Sequence, residues 1–185
     1  MMTSETLISA TSDLRGQKGL TMIELIIVIA VIAILMAIIV PSMNAYRTRA
    51  NEAKARALFE SISVALRNYK SDTGRYPYVD GSSDYYGELN RRLYIALSGD
   101  TNTNFVKEST DTNAYLTFDT DALMEDSDGS RLPRIADPFG NAIGYWPLPD
   151  FHNRTSFNLW SRGKDGATGS GVEMGNEEND INNWR

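Results

Sequence analysis

Cysteine is absent from the 185 residues, and histidine occurs once, at position 152. The first absence excludes disulfides, thiolate metal sites and cysteine nucleophiles. The second excludes a multi-histidine metal centre, or a Ser-His-Asp triad built anywhere but around His152. A net charge of −6 is mild and has the wrong sign for a nucleic-acid binder. The length suits a single domain. A mean hydropathy of −0.33 hides the main feature, because the apolar residues are gathered in one place.

Residues 1–19 are polar, with Arg15 and Lys18 at the end nearest the apolar run. Residues 20–40 then hold one charge, Glu24, and one hydroxyl, Thr21. At 1.5 Å per residue they make roughly 31 Å of helix, enough to cross the hydrocarbon core of a bilayer. A secretory signal carries a shorter apolar core, about 7–15 residues, and a small-residue cleavage site after it. Here the run is longer and no A-x-A pattern follows. It reads as a membrane span.

Beyond Pro41 the pattern becomes amphipathic. Tyr46, Ala50, Ala53 and Ala57 recur at helical spacing, and so do Leu58, Ile62, Leu66 and Tyr69 beside them. A helix continuing from the span is expected over 41–74, kinked or loosened at Pro41 and stopped where Gly74 can adopt a left-handed cap. Residues 42–70 carry six basic and two acidic side chains, whereas 71–185 carry ten and nineteen. The shaft is net positive and the head net negative. Strand candidates are Tyr115-Leu116-Thr117-Phe118, Ile143-Gly144-Tyr145-Trp146 and Phe157-Asn158-Leu159-Trp160, with a helical patch over 86–97. After Ser161 the chain is rich in Gly, Asp and Asn, with little to pack until Ile181 and Trp184.

One motif is specific. Lys18-Gly19-Leu20-Thr21-Met22-Ile23-Glu24-Leu25, followed by an apolar run and Pro41, resembles the class III signal of prepilin-like proteins. The resemblance implies cleavage between Gly19 and Leu20 by a membrane prepilin peptidase, with methylation of the new Leu20 amine. It also implies an assembly role for Glu24 and Pro41. A carboxylate within a membrane helix costs about 2.5–3.5 kcal/mol on insertion scales and needs a partner or a proton. The resemblance supplies the partner as the Leu20 amine of a neighbouring subunit; the alternative is a Glu24 that snorkels to the interface. Arg47, Arg49, Lys54 and Arg56 follow the span, so basic residues do not favour N-in. That topology comes from the family alone.

The head carries an ordered set of motifs: Thr73-Gly74-Arg75-Tyr76-Pro77, Asp137-Pro138-Phe139-Gly140-Asn141, Ser161-Arg162-Gly163-Lys164-Asp165-Gly166, and Asn179-Asp180-Ile181-Asn182-Asn183-Trp184. Each alone is a turn signal. In this order behind a prepilin signal, they resemble the major pseudopilins of bacterial type II secretion, with a less recognisable stretch over 78–136. In that family the C-terminal loop, here 161–185, binds calcium. The matching positions are the carboxylates of Asp165 and Asp180, the side-chain carbonyl of Asn179 and the main-chain oxygen of Arg162. Asn179 stands where many relatives carry Asp, which lowers the charge of the site. Calcium takes about six to eight oxygens, and a metal clip would constrain a loop with few apolar side chains to offset its ordering entropy. Asp126-Ser127-Asp128-Gly129 reads as a solvated turn, His152 as a surface residue, and Asn153-Arg154-Thr155 as a chance glycosylation pattern.

The resemblance implies an α+β pilin-like fold: a long N-terminal helix packed on a small antiparallel sheet, with leader 1–19, span 20–40, amphipathic helix 41–74 and periplasmic head 75–185. It implies a homopolymer anchored in the inner membrane. Its partners would be minor pseudopilins, the prepilin peptidase, an assembly platform and exoprotein cargo, with no nucleic acid. The alternative is a type IV pilin forming a surface fibre for adhesion, motility or DNA uptake. Many such pilins pin the C-terminal region with a cysteine pair, absent here. No nucleophile–base pair points to an enzyme.

Overall fold

The computed structural model describes residues 20–100, 114–124, 133–170 and 173–184. The leader with Gly19, and the Asp126-Ser127-Asp128-Gly129 turn, lie outside the described residues. The chain divides into two compact units, 1–43 and 44–185. Helix α1 (Met22–Thr73) contributes to both.

In the first unit α1 is apolar on every side. Its larger apolar side chains from Leu25 to Ile39 are 48–66% exposed. It is long and apolar enough to cross a membrane, and a helix apolar all round needs an apolar medium or neighbours of its own kind. The helix is unbroken across Pro41, where the ring leaves out one backbone donor.

In the second unit α1 becomes one wall of a core. Ala55, Phe59, Ile62 and Leu66 are buried at spacings of four, three and four. Leu58 and Tyr69 pack half-buried beside them. The other expected stripe, Tyr46, Ala50, Ala53 and Ala57, is exposed. Small residues at helical spacing mark a face but not which way it turns. The helix stops as expected: Gly74 takes φ +82°, and its N–H donates to the Lys70 carbonyl at 2.8 Å. A left-handed residue here costs glycine nothing and any other residue a clash at Cβ.

Helix α2 (Glu88–Ser98) buries Leu89, Leu93 and Leu97. Asp84 starts it, its carboxylate accepting the Gly87 and Glu88 N–H groups at 3.0 Å each. Five short strands follow among the described residues: β1 (Leu123–Met124), β2 (Arg134–Ile135), β3 (Gly144–Trp146), β4 (Asn158–Ser161) and β5 (Ile181–Asn182). β1 and β2 form an antiparallel pair, and β3-β4-β5 an antiparallel sheet with Tyr145 opposite Leu159 and Ser161 opposite Ile181. The strands expected near 143–146 and 157–160 are β3 and β4. The one expected at 115–118 does not form. Tyr115 and Leu116 instead donate their N–H groups to the Leu97 carbonyl, at 2.8 and 3.0 Å, closing the end of α2. A buried Asn90 ties α2 to the strands: its amide donates to the Ile135 and Ile143 carbonyls and its carbonyl accepts from the Ile135 N–H, all within 2.9 Å.

Candidate functional site

The start of α1 is a capping box. The Thr21 N–H and hydroxyl both donate to Glu24 Oε2 at 2.8 Å, and the Glu24 N–H returns a bond to the Thr21 hydroxyl at 3.3 Å. Thr-x-x-Glu satisfies orphan donors of the first turn reciprocally, which favours a helix start at Met22. Glu24 therefore has a partner within its own chain, which the sequence reading left to a neighbour. Its other oxygen, Oε1, accepts no hydrogen bond among the described residues. Leu20 lies just ahead of the helix and is 73% exposed. Pro41 lies within α1, and its side chain is outside the described residues.

The head motifs converge on the C-terminal loop. Asp137 organises its own turn, Oδ1 accepting the Phe139 and Asn141 N–H groups at 2.9 Å. Its Oδ2 accepts the Ser161 hydroxyl at 2.6 Å, and Asn141 donates to the Gly163 carbonyl at 2.9 Å. The DPFGN turn thus clamps the start of the SRGKDG loop. Gly163, at φ +61°, lies so close to the Asn179 carbonyl that a Cβ would sit 2.2 Å from it. Only glycine lets the two limbs of the loop meet. Arg162 lies over the Tyr86 ring, 4.6 Å from its centroid. The Tyr86 hydroxyl accepts the Trp160 indole N–H at 2.7 Å. Burial raises the Tyr86 pKa, against opposing pulls from that bond and from Arg162.

Asp180 closes the far limb. Its Oδ2 accepts the Thr168 hydroxyl at 2.8 Å and the Glu177 N–H at 3.0 Å. Thr168 in turn accepts the Gly175 N–H, at 2.7 Å. The Asn183 side chain accepts the Leu159 N–H of β4 and donates to the carbonyl of Phe157 just before it. Trp184 stacks on His152 with centroids 4.5 Å apart, and its indole N–H donates to Asn176 at 3.2 Å. His152 is half-buried, not a free surface residue. Its Nε2 lies 2.9 Å from the Met174 carbonyl, which requires the proton on that nitrogen.

The expected metal ligands fall on these limbs unevenly. Arg162 and Asn179 flank the Gly163 crossing, and Asp180 follows directly. Asp165 is exposed, its Oδ1 accepting the Ala167 N–H at 2.9 Å. No three His, Asp or Glu side chains group to hold a metal among the described residues. The donors are hard oxygens of the right kind, but amide, hydroxyl and main-chain oxygens must complete the count. Thr168, whose hydroxyl bonds Asp180, is a residue of this loop that sequence reasoning missed. Its only signal was a hydroxyl twelve residues before Asp180.

Residues 14–40 match the prokaryotic N-terminal methylation motif. A capping-box carboxylate at the start of an apolar helix long enough to cross a membrane, with a small α+β head following it in sequence, gives the chain the features of the class of pilin-like proteins. Within that class, the long match is to type II secretion. The chain is 26% identical over 163 residues to the type II secretion system core protein G of Vibrio cholerae, covering 88% of this chain and 93% of that one. A type IV wide pilus major component of Thermus thermophilus is 41% identical over 63 residues, 34% of this chain and 48% of its own. The solved major pseudopilin of the type 2 secretion system of enterohaemorrhagic Escherichia coli has a TM-score of 0.42 and 21% identity, over 76% of this chain and 87% of that one. The chain resembles type II secretion system core proteins G along 88–92% of its length.

Proposed function

We propose that this chain is a major pseudopilin subunit, polymerising into a periplasmic pseudopilus that drives export of folded proteins across the outer membrane. The observation that carries the reading is that the type II secretion likeness extends through the head, whereas the pilin likeness covers about a third of the chain. The prepilin peptidase removes 1–19 and methylates Leu20, leaving a single-pass subunit in the inner membrane with its head in the periplasm. During growth the Leu20 amine of one subunit binds Glu24 of the next. Oε1 receives it while Oε2 keeps its Thr21 bonds, so registration need not unwind the first helical turn. An assembly platform adds subunits, minor pseudopilins share the fibre, and exoproteins are pushed ahead of it. Mass spectrometry of the membrane form should find methylated Leu20 as the N-terminus. An intact Met1, or a start beyond Val40, would overturn the reading.

Calcium belongs to the same proposal. Arg162 through its main-chain oxygen, Asp165, Asn179 and Asp180 would hold it, and Thr168 supplies a further oxygen beside Asp180. Bound there, the ion would clip a loop that otherwise rests on hydrogen bonds involving Asp137, Asn141, Thr168 and Asp180. Residues 44–185, which form a compact unit, should then melt higher in calcium than in chelator. Superimposable melts would remove the metal and leave the hydrogen-bonded clasp.

A further inference from the structure

A fibre built from one chain needs two different, complementary patches on each subunit, because head-to-tail contacts are heterologous. The second unit has such a pair, on either side of α1. One groove, of about 410 Å³, is lined by Arg56, Phe59, Ser63 and Arg67 on α1 and by Asn153 and Asn183 across from it. The other, of about 650 Å³, is lined by Lys54 and Leu58 on α1 and by Asp119, Asp121, Asp137 and Phe139 opposite. At 3.6 residues per turn the two sets of α1 positions centre about 160° apart around the helix. The buried face of Ala55, Phe59, Ile62 and Leu66 lies between them.

Their charges are opposite. In the first groove Arg67 is held by the Ser63 carbonyl at 3.1 Å and by Glu60 at 3.8 Å. Arg56 is exposed and has no ion pair among the described residues. The groove is net positive, and its amide-bearing far wall offers further donors for a carboxylate. In the second groove Asp137 is buried and committed to Ser161, Phe139 and Asn141. Asp119 and Asp121 are exposed on the rim and outnumber Lys54.

We infer that the groove at Arg56 and Arg67 of one subunit receives the Asp119–Asp121 rim of a second copy, so that each head docks against the helix stripe of its neighbour. This inference rests on the subunit reading above, with Glu24 setting the axial step and the two grooves setting the side-to-side contact. It extends the imbalance between a positive shaft and a negative head to four named residues. Exposed pairs are individually weak. Repeated at every subunit of a polymer they act together and reject a reversed neighbour.

The absence of cysteine makes the test clean. The full-length chain carrying Asn153→Cys and Asp121→Cys together, expressed with its secretion machinery and oxidised in the membrane, should give a ladder of covalent multimers. Neither single variant should give more than monomer. A dimer from one single variant would mean a symmetric contact and overturn the proposal, as would fibres without a ladder. Arg56→Glu with Arg67→Glu should reduce fibres about tenfold while Leu20 processing continues, and adding Asp119→Lys with Asp121→Lys should restore them. Failure to restore, with processing intact, removes the docking pair and leaves the pseudopilin reading standing. If the unaltered chain forms no fibre at all, the pseudopilin reading fails and the docking pair goes with it.

Discussion

The two units of this chain use apolar residues in opposite ways. Residues 22–39 present them outward all round the helix, the larger side chains being 48–83% exposed. Residues 44–185 turn the same kinds of side chain inward, so that Ile62, Leu66, Leu93, Tyr145 and Leu159 are fully buried. The first unit has no stability of its own to speak of; lipid or neighbouring helices must provide it. The second carries its own core. What the comparison teaches is that the anchor is specified by polar exceptions and the head by apolar ones. In a segment otherwise apolar, Thr21 and Glu24 are the side chains that mark where the helix begins.

The sharpest way to break this contrast is at Glu24. Glu24→Ala should leave head stability unchanged, since residues 44–185 form a compact unit of their own, should ease insertion by removing a carboxylate from the apolar run, and should abolish fibres. Counting fibres in the presence of the wild-type machinery, with the membrane-bound pool measured in parallel, checks it. Normal assembly and export by the alanine variant would leave Glu24 as a helix cap and nothing more. Next comes a matched pair of truncations. Ile62→Ala, in the fully buried stripe, should cost the head about 2–5 kcal/mol, read from chemical denaturation. Ile32→Ala, in the exposed run, should leave that denaturation curve in place.

The contrast was half legible in the sequence. The span, the stop at Gly74, α2 and the strands β3 and β4 follow from composition, a glycine cap and periodicity, all local signals. The capping box was legible too, as Thr21-x-x-Glu24, though Glu24 read first as a group awaiting a neighbour. Strands β1, β2 and β5 are two residues long, too short for any period to register. Tyr115-Leu116-Thr117-Phe118 has strand-forming side chains, yet the free carbonyl at the end of α2 claims its N–H groups. In the stripe Tyr46-Ala50-Ala53-Ala57 the period was right and the direction was not, because direction depends on what packs opposite. At the candidate site, the four motifs could be named one by one. That Asp137, Asn141, Gly163 and Asn179 meet is a tertiary fact, and so are Asn90 bridging α2 to β2 and His152 stacking on Trp184.

The smallest effect expected is alkaline, and it belongs to the head alone. Tyr145 is buried with its hydroxyl donating to the Pro77 carbonyl at 3.0 Å. Burial pushes its pKa well above the ordinary value of 10.0. In the unfolded chain the phenol ionises near that ordinary value, while in the folded head it stays protonated. Below about pH 10 both states hold the proton, and the bond contributes about 1 kcal/mol. Above it the unfolded state releases its proton first, so stability falls as pH rises towards the folded-state pKa. Tyr86, also raised by burial, adds to the same slope. Tyr145→Phe should therefore melt slightly below the wild-type head at pH 8, with the gap closing as the pH passes 10. The apolar anchor has no phenol to titrate, so the decline should be the same whether residues 20–43 are present or not. A gap that stays constant to pH 11 would mean that the Tyr145 hydroxyl is reached by solvent and titrates as it does in the unfolded chain.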